Sequence, residues 1–171
     1  EEAHPRFHAR HHAKTRVYIY QISRRRTAFG KKFVWWVKDE LNVKKMRSAA
    51  QAFQGFHDFV SFADKRFDKD ASTKVMLDAV ELVEHDDLII VRITGSHFLW
   101  KMVRRMVGIL VEVGRENLTR RDVENRLIKL SDLPAKNTAP PSGLFLAQVL
   151  YEGDSIKPLQ QPHSLLPNLR T

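Results

Sequence analysis

The stretch from Gly95 to Gly114 constrains the fold more than any other part of this sequence. Its apolar residues recur at spacings of three and four, which predicts one long helix with a broad buried face. That face consists of Phe98, Leu99, Met102, Val103, Met106, Ile109, Leu110 and Val113. A chain of 171 residues is long enough to bury such a face in a core, as one domain or a large part of one.

A second stripe on the same predicted helix contains an arginine. The stripe follows spacings of four and three along Trp100, Arg104, Gly108 and Val111. The neighbours that we expect to point to water are Lys101, Arg105 and Glu112. Two interpretations of Arg104 stay open. It is either a partly buried guanidinium that needs an anionic partner, with Gly108 leaving room for another group to approach, or a snorkelling side chain on an ordinary core helix.

Positive charge is concentrated in two blocks of a chain whose formal net charge is +9. Residues 1–36 carry nine Lys and Arg against two Glu, and residues 101–130 carry eight against four acidic residues. The intervening residues 37–100 carry nine against eleven. Such a distribution suits a polyphosphate backbone, although many small basic proteins bind no nucleic acid.

The absence of cysteine excludes disulfides and thiolate chemistry and allows a reducing compartment. No apolar run approaches the roughly 18 residues that a membrane-spanning helix needs, and the first residues do not resemble a secretory signal. We therefore expect a soluble intracellular protein without a membrane partner. The cytoplasm is the expected compartment, with an organelle or the nucleus as alternatives.

The remaining patterns predict an α+β fold, with a largely antiparallel sheet and helices packed mainly on one face. Strands are expected at 17–22, 33–37, 74–83, 88–94 and 144–151, with a hairpin turn at 85–87. A helix capped by Asn42 should span 43–54 and end at Gly55. A capping box of Thr119 and Asp122 should open another helix, with Val123, Leu127 and Leu130 inward.

Four segments, in register, resemble the TruA-type tRNA pseudouridine synthases. The most specific is Phe98-Leu-x-x-Met-Val-Arg104-x-x-Val-Gly108, which is similar to the central helix motif of that family. The others are Phe7-His-Ala-Arg10 with Arg16-x-Tyr18-x-Tyr20, then Gly55-x-His-Asp-Phe-x-x-Phe62, then Thr138-Ala-Pro-x-x-Gly-Leu144-x-Leu146-x-x-Val149-x-Tyr151. Together they cover roughly residues 6 to 151, and they imply half of a pseudouridine synthase fold.

The family's catalytic aspartate lies in an Arg-Thr-Asp-x-Gly-Val-His type of motif upstream of the Phe-His-Ala-Arg segment, and no such motif occurs in these 171 residues. The resemblance therefore implies that residues 1–152 are the C-terminal portion of the catalytic domain. Residues 153–171 are expected to form a proline-containing tail that packs irregularly or frays. A homodimer is one assembly that the sequence leaves open.

The resemblance also implies roles for individual residues. Arg104 would pair with the catalytic carboxylate, Tyr18 would stack on the target base and hydrogen-bond to it, and Leu144 would pack against that base. The expected phosphate contacts to tRNA or another structured RNA are Lys14, Arg16, Arg24, Arg25, Arg26, Lys101 and Arg105. The reaction implied is the isomerisation of uridine to pseudouridine, with no cofactor and no metal.

Simpler interpretations accompany these assignments. Tyr18 and Tyr20 share a strand face and could both be ordinary strand aromatics. Asp58 is expected to hold a turn rather than to replace the missing nucleophile. The histidines at positions 4, 8, 11 and 12 lack a second cluster and are expected to meet RNA or solvent rather than a metal. The competing functions are a non-catalytic RNA-binding module with the same fold and a basic interaction domain without RNA.

Overall fold

The computed structural model describes residues 5–28, 30–64 and 72–157, and these confirm the α+β fold. The strands are β1 Thr15–Ser23, β2 Trp35–Trp36, β3 Gly55–Asp58, β4 Lys74–His85, β5 Leu88–Gly95 and β6 Leu144–Leu150. The α-helices are α1 Val43–Ala50, α2 Met102–Gly114, α3 Arg120–Ile128 and α4 Leu133–Lys136. Short 3-10 turns cover Gln51–Phe53 and Val60–Phe62.

The strands form one largely antiparallel sheet centred on β1. β5 pairs with one edge of β1 and β6 with the other, both antiparallel, while the short β2 lies parallel to the end of β1. β4 and β5 form the predicted hairpin, whose turn contains Asp86 with a φ of 49°. β3 pairs with β4 at the far side of the sheet.

The core lies between one face of the sheet and the helices, as predicted. Alternate residues of the strands, including Tyr20, Ile22, Val91 and Ile93, point into one cluster with the apolar sides of α1 and α2. Met106 of α2 is fully buried in this cluster. Because β1 and α2 both contribute to this core, the face that holds Tyr18 and Tyr20 is fixed relative to the start of α2.

The starts of two helices were predicted correctly from their capping residues. The Asn42 side chain accepts a hydrogen bond from the backbone N–H of Lys45 at 3.1 Å, so the predicted cap is confirmed. Thr119 and Asp122 form the complete capping box of α3. The prediction that Leu130 points inward is wrong, since α3 ends at Ile128 and the Leu130 side chain is 77% exposed.

The predicted helix at 95–114 begins much later than expected. β5 continues to Gly95, an irregular connection follows, and α2 starts at Met102, directly after Lys101 in a left-handed conformation with a φ of 64°. Trp100 therefore lies outside the helix, 64% exposed, and does not share a helical stripe with Arg104. The apolar period alone could not reveal this break, because it continues through the connection.

Other boundaries also differ. Of the strand expected at 33–37, only Trp35–Trp36 pairs with another strand. The helix expected to reach residue 54 tightens into a 3-10 turn after Ala50, and Gly55, with a φ of 96°, opens β3. Residues 158–171 of the predicted tail lie outside the described residues. Within the part that is described, no helix is long and apolar enough to cross a membrane.

Candidate active-site wall

Arg104 lies in the first turn of α2 and is tied to the segment that precedes β6. Its Nε donates a hydrogen bond to the Ala139 carbonyl at 2.6 Å, and the Ala139 N–H donates to the Arg104 carbonyl at 3.1 Å. The side chain is half-buried. Among the residues that the structure describes, no carboxylate pairs with Arg104, and neither Nη group has a hydrogen-bond partner. The guanidinium is thus oriented through Nε, with its outer fork still available to an anion.

Gly108 permits this contact between α2 and the segment before β6. A Cβ at this position would lie 1.6 Å from the Asn137 carbonyl oxygen. The clashing atom belongs to the backbone, which cannot move aside as the end of a flexible side chain can. Residues 137–139 can therefore cross the helix this closely only where the helix has a glycine. The expectation that Gly108 makes room for another group is confirmed, and that group is the backbone leading to Leu144.

Tyr20 connects the same segment to β1. It is fully buried, and its hydroxyl donates a hydrogen bond to the Pro140 carbonyl at 2.8 Å. Burial raises the pKa of Tyr20 well above its usual range, and the positive charge of Arg104 opposes that rise only in part. Tyr20 therefore stays protonated and holds the segment in place as a neutral donor.

Leu144 and Tyr18 lie on neighbouring strands next to this anchor. Leu144 pairs with Tyr20 across β6 and β1, and Leu146 pairs with Tyr18 two residues along. Leu144 is half-buried against the core. Tyr18 is also half-buried, and its ring meets Phe98 edge-on at a centroid distance of 4.9 Å. Arg104 and Tyr20 are thus both bonded to the segment that leads to Leu144, and Tyr18 lies two residues before Tyr20 on β1, beside Phe98.

Arg105 does not point to water, so that prediction is wrong. Its side chain is only 8% exposed, it donates a hydrogen bond to the Ala63 carbonyl, and its Nη2 lies 3.8 Å from Asp64. Burial lowers the pKa of Arg105, while the Asp64 charge acts in the opposite direction. The segment after the second 3-10 turn covers this side of α2, and a side chain so enclosed cannot reach a phosphate in this arrangement.

Several other arginines and lysines proposed as phosphate contacts already have partners within the protein. Lys14 pairs with Glu152 at 3.0 Å, and Lys101 pairs with Asp64 at 2.6 Å. Arg16 donates hydrogen bonds to the carbonyls of Arg10, Ala13 and Ser96. These bonds attach the described residues before β1, 5–14, which we call the N-terminal arm, to the end of β5. Arg16 therefore has a bracing role that its sequence position did not reveal.

The basic triplet after β1 is exposed. Arg24 forms an ion pair with Glu84, and the Arg26 guanidinium lies 5.5 Å from the centre of the Trp36 ring. Arg25 is exposed, and its side chain contacts no partner in residues 5–28, 30–64 and 72–157. Exposed contacts of this kind contribute little to stability, so Arg24 and Arg26 can exchange theirs for phosphate at small cost, and Arg25 has no partner to give up in the described ranges.

The remaining polar candidates have local roles. The Asp58 carboxylate accepts hydrogen bonds from the Val60 N–H at 3.0 Å and from the Thr73 hydroxyl at 2.6 Å, which confirms the predicted turn. In the N-terminal arm, His12 stacks on Phe7, and the Tyr151 hydroxyl donates to the Ala9 carbonyl. Among the described residues, no group of three or more His, Cys, Asp or Glu side chains could hold a metal ion.

Sequence reasoning missed the carbonyls of Ala139 and Pro140 as the groups that orient Arg104 and Tyr20. The available signal was the Thr138-Ala-Pro-Pro run, which is rigid and lies shortly before Leu144. It also missed the buried contacts of Arg105, because Ala63 and Asp64 precede it by about 40 residues and carry no helical or strand period.

Comparison with known proteins bears directly on this arrangement. The family profile described as tRNA pseudouridine synthase matches residues 49–152, which include β3 to β6, Arg104 and Leu144. A tRNA pseudouridine synthase A from Pseudothermotoga lettingae is 38% identical over 146 residues, covering 84% of this chain and 59% of that protein. Another from Thermosipho melanesiensis is 38% identical over 151 residues, covering 88% and 62%.

The tRNA pseudouridine synthase A 1 of Clostridium tetani is 32% identical over 148 residues, covering 85% of this chain and 60% of that protein. The chain thus spans about three fifths of the length of the curated relatives it matches. The profile match includes the Arg104 helix and the strand that carries Leu144. On this basis the chain belongs to the TruA-type family of tRNA pseudouridine synthases.

Proposed function

We propose that this chain supplies the RNA-binding and base-pocket wall of an enzyme that isomerises uridine to pseudouridine in tRNA. The observation that carries the proposal is Arg104, whose Nε is fixed by Ala139 while its outer fork stays unpartnered among the described residues. Tyr20 is bonded to Pro140, the next residue, and pairs with Leu144 across the two strands, with Tyr18 two residues away on β1. A guanidinium held in this way is prepared for a carboxylate that comes from elsewhere in the protein.

The proposed reaction moves one bond within the nucleotide. The N1–C1′ bond of uridine breaks, the uracil turns, and a C5–C1′ bond forms. C5 loses its proton and N1 gains one, so the product is an isomer, and no cofactor or metal is required. The carboxylate that attacks or acts as base would come from an aspartate outside residues 1–171. Arg104 would bond both oxygens of that carboxylate, keeping it ionised and oriented.

Tyr18 and Leu144 would hold the extruded base. Tyr18 offers an aromatic ring for stacking, and this ring is held in an edge-to-face contact with Phe98. Its hydroxyl has no hydrogen-bond partner in the described part of the chain. Leu144 offers an apolar surface one residue after Gly143. A base that has left its stack needs such a combination of stacking, apolar contact and a polar group.

The RNA backbone would be bound by the exposed cations. Arg24, Arg25 and Arg26 form the most accessible group, and Lys14 could exchange its carboxylate partner for phosphate. Lys101 is bound to the buried carboxylate of Asp64 and would act through the protein. Arg16 and Arg105 would act through the protein as well, since their guanidinium groups bond to backbone carbonyls. In a homodimer, the exposed cations of both subunits could contact one RNA molecule.

The test uses two proteins, residues 1–171 alone and the longer protein that would contain both this chain and the catalytic aspartate, here called the parent protein. Each is incubated with unmodified tRNA, and the pseudouridine formed is measured. We expect conversion by the parent protein, and RNA binding without conversion by residues 1–171. Pseudouridine formation by residues 1–171 would contradict the proposal and would make Asp58 the first residue to replace.

The alternative is a non-catalytic RNA-binding module with the same fold. It is favoured by one observation, namely that the aspartate motif of the family is absent from these 171 residues. The same assay separates the two functions, because the parent protein of a binding module would bind tRNA but would leave every uridine unchanged.

A further inference from the structure

The face of α2 that carries Arg105 holds a cluster of charges that the proposed chemistry does not use. Asp64 is 8% exposed and lies 2.6 Å from the Nζ of Lys101. Arg105, also 8% exposed, lies 3.8 Å from the same carboxylate oxygen. One enclosed carboxylate thus stands between two cations that lie one helical turn apart.

Backbone contacts join the same two segments. The Asp64 N–H donates to the Trp100 carbonyl at 3.2 Å, and the Arg105 guanidinium donates to the Ala63 carbonyl. Residues 63–64 are therefore attached to 100–105 by two ion pairs and two hydrogen bonds. Removing the charge of Asp64 would leave the buried guanidinium of Arg105 without this carboxylate.

Lys101 shows why this attachment matters for the start of α2. Its φ of 64° is a conformation that a lysine side chain disfavours, so the surroundings must hold it. Its ammonium is bound to Asp64, and the helix begins at the next residue. The carboxylate of Asp64 is thus linked to the point at which the direction of α2 is set.

Arg104 lies between the two attachments. Ala139 is bonded to both the Nε and the backbone carbonyl of Arg104, while Asp64 pairs with Lys101, three residues before it, and with Arg105, the residue after it. A shift of the first turn on the Asp64 side would move the fork of Arg104 relative to any carboxylate that it binds. A displacement of about 1 Å at a catalytic group can cost two orders of magnitude in rate.

We propose that Asp64, acting through Lys101 and Arg105, is a positioning residue that holds the first turn of α2 and so places Arg104 for catalysis. This inference rests on the function proposed above. Asp64 touches neither substrate nor reacting atoms in this role. Its removal should therefore slow the chemical step and leave the affinity for RNA unchanged.

The experiment measures single-turnover pseudouridine formation and tRNA affinity for the parent protein and for Asp64→Asn, which keeps the shape and removes the charge. We expect the rate to fall about tenfold or more, with the affinity unchanged within about twofold. Asp64→Glu should recover part of the rate. The matched control is Glu124→Gln, which breaks the exposed pair with Arg120 on α3 and should change neither quantity.

An unchanged rate in Asp64→Asn, or a loss confined to tRNA affinity, would overturn the inference. If Asp64→Asn fails to fold, Arg105→Lys serves instead, and a several-fold slower rate at unchanged affinity is the expected result. An Arg105→Lys rate equal to that of the parent protein would overturn the inference as well. Failure of the proposed function is distinguishable, because the unsubstituted parent protein would then form no pseudouridine.

Discussion

Arg104 and Arg105 are adjacent on α2, yet their surroundings differ completely. Arg105 is enclosed by its own chain, with a carbonyl and a carboxylate as partners. Arg104 is half-buried, bonded to one carbonyl through Nε, and its outer fork meets no partner in the described ranges. Burial alone therefore does not identify a candidate functional arginine. Arg104 is the candidate because Nε holds it in place while its outer fork meets no anion among the described residues.

The largest expected effect follows from replacing each arginine by lysine in the parent protein. Arg104→Lys keeps the charge but loses the planar fork, so we expect the single-turnover rate to fall by roughly 30- to 1000-fold, equivalent to about 2–4 kcal/mol. Arg105→Lys should slow the reaction only several-fold and should also lower the melting temperature. Equal and small rate effects would return Arg104 to the role of a snorkelling residue.

A second prediction tests the other support of Arg104. Gly108→Ala places a Cβ 1.6 Å from the Asn137 carbonyl oxygen, so the 137–139 segment must move. We expect the free energy of unfolding to fall by about 1–3 kcal/mol, which exceeds the gain in helix propensity.

The control for Gly108→Ala is Gly114→Ala on the same helix. Its Cβ would meet the Sδ of Met46 at 2.7 Å, and a methionine side chain can move. The loss in unfolding free energy should therefore be smaller than for Gly108→Ala. A reversed order, measured by chemical denaturation, would show that the close approach at Gly108 is not what fixes the segment.

The smallest expected effect concerns the exposed basic triplet. Replacing Arg24, Arg25 and Arg26 by Gln should reduce the slope of log affinity against log salt by about two to three, with little change in the single-turnover rate at saturating protein. Replacing Arg120, Arg121 and Lys129 by Gln removes the same charge elsewhere and should change the slope less. Binding without salt dependence would favour the interaction-domain alternative.

The parts of the structure that were predictable from sequence are those fixed by local chemistry. The alternation around Tyr18 and Tyr20 gave β1, and the side chains of Asn42 and Thr119 gave two helix starts. The late start of α2 was not predictable, because it depends on a left-handed Lys101 that a distant carboxylate holds. The burial of Arg105 depends on the same distant segment.

The candidate site likewise contains residues that the sequence could indicate and contacts that only the folded chain reveals. The resemblance pointed to Arg104, Tyr18 and Leu144; in the fold, Arg104 is bonded to Ala139 shortly before Leu144, and Tyr18 lies on the neighbouring strand beside Phe98. The groups that hold Arg104 and Tyr20 there are the carbonyls of Ala139 and Pro140. Every residue type has a carbonyl, so only the folded backbone can show which carbonyl is used.

Chemical rescue can show whether Arg104 offers its guanidinium fork to a catalytic carboxylate. Arg104→Ala in the parent protein removes the fork, and methylguanidinium ions at non-denaturing concentration can occupy its place. We expect pseudouridine formation to recover with increasing methylguanidinium, and Arg105→Ala to show no such recovery. A rate for Arg104→Ala that stays unchanged at every methylguanidinium concentration, or equal recovery in both variants, would rule out this role of Arg104.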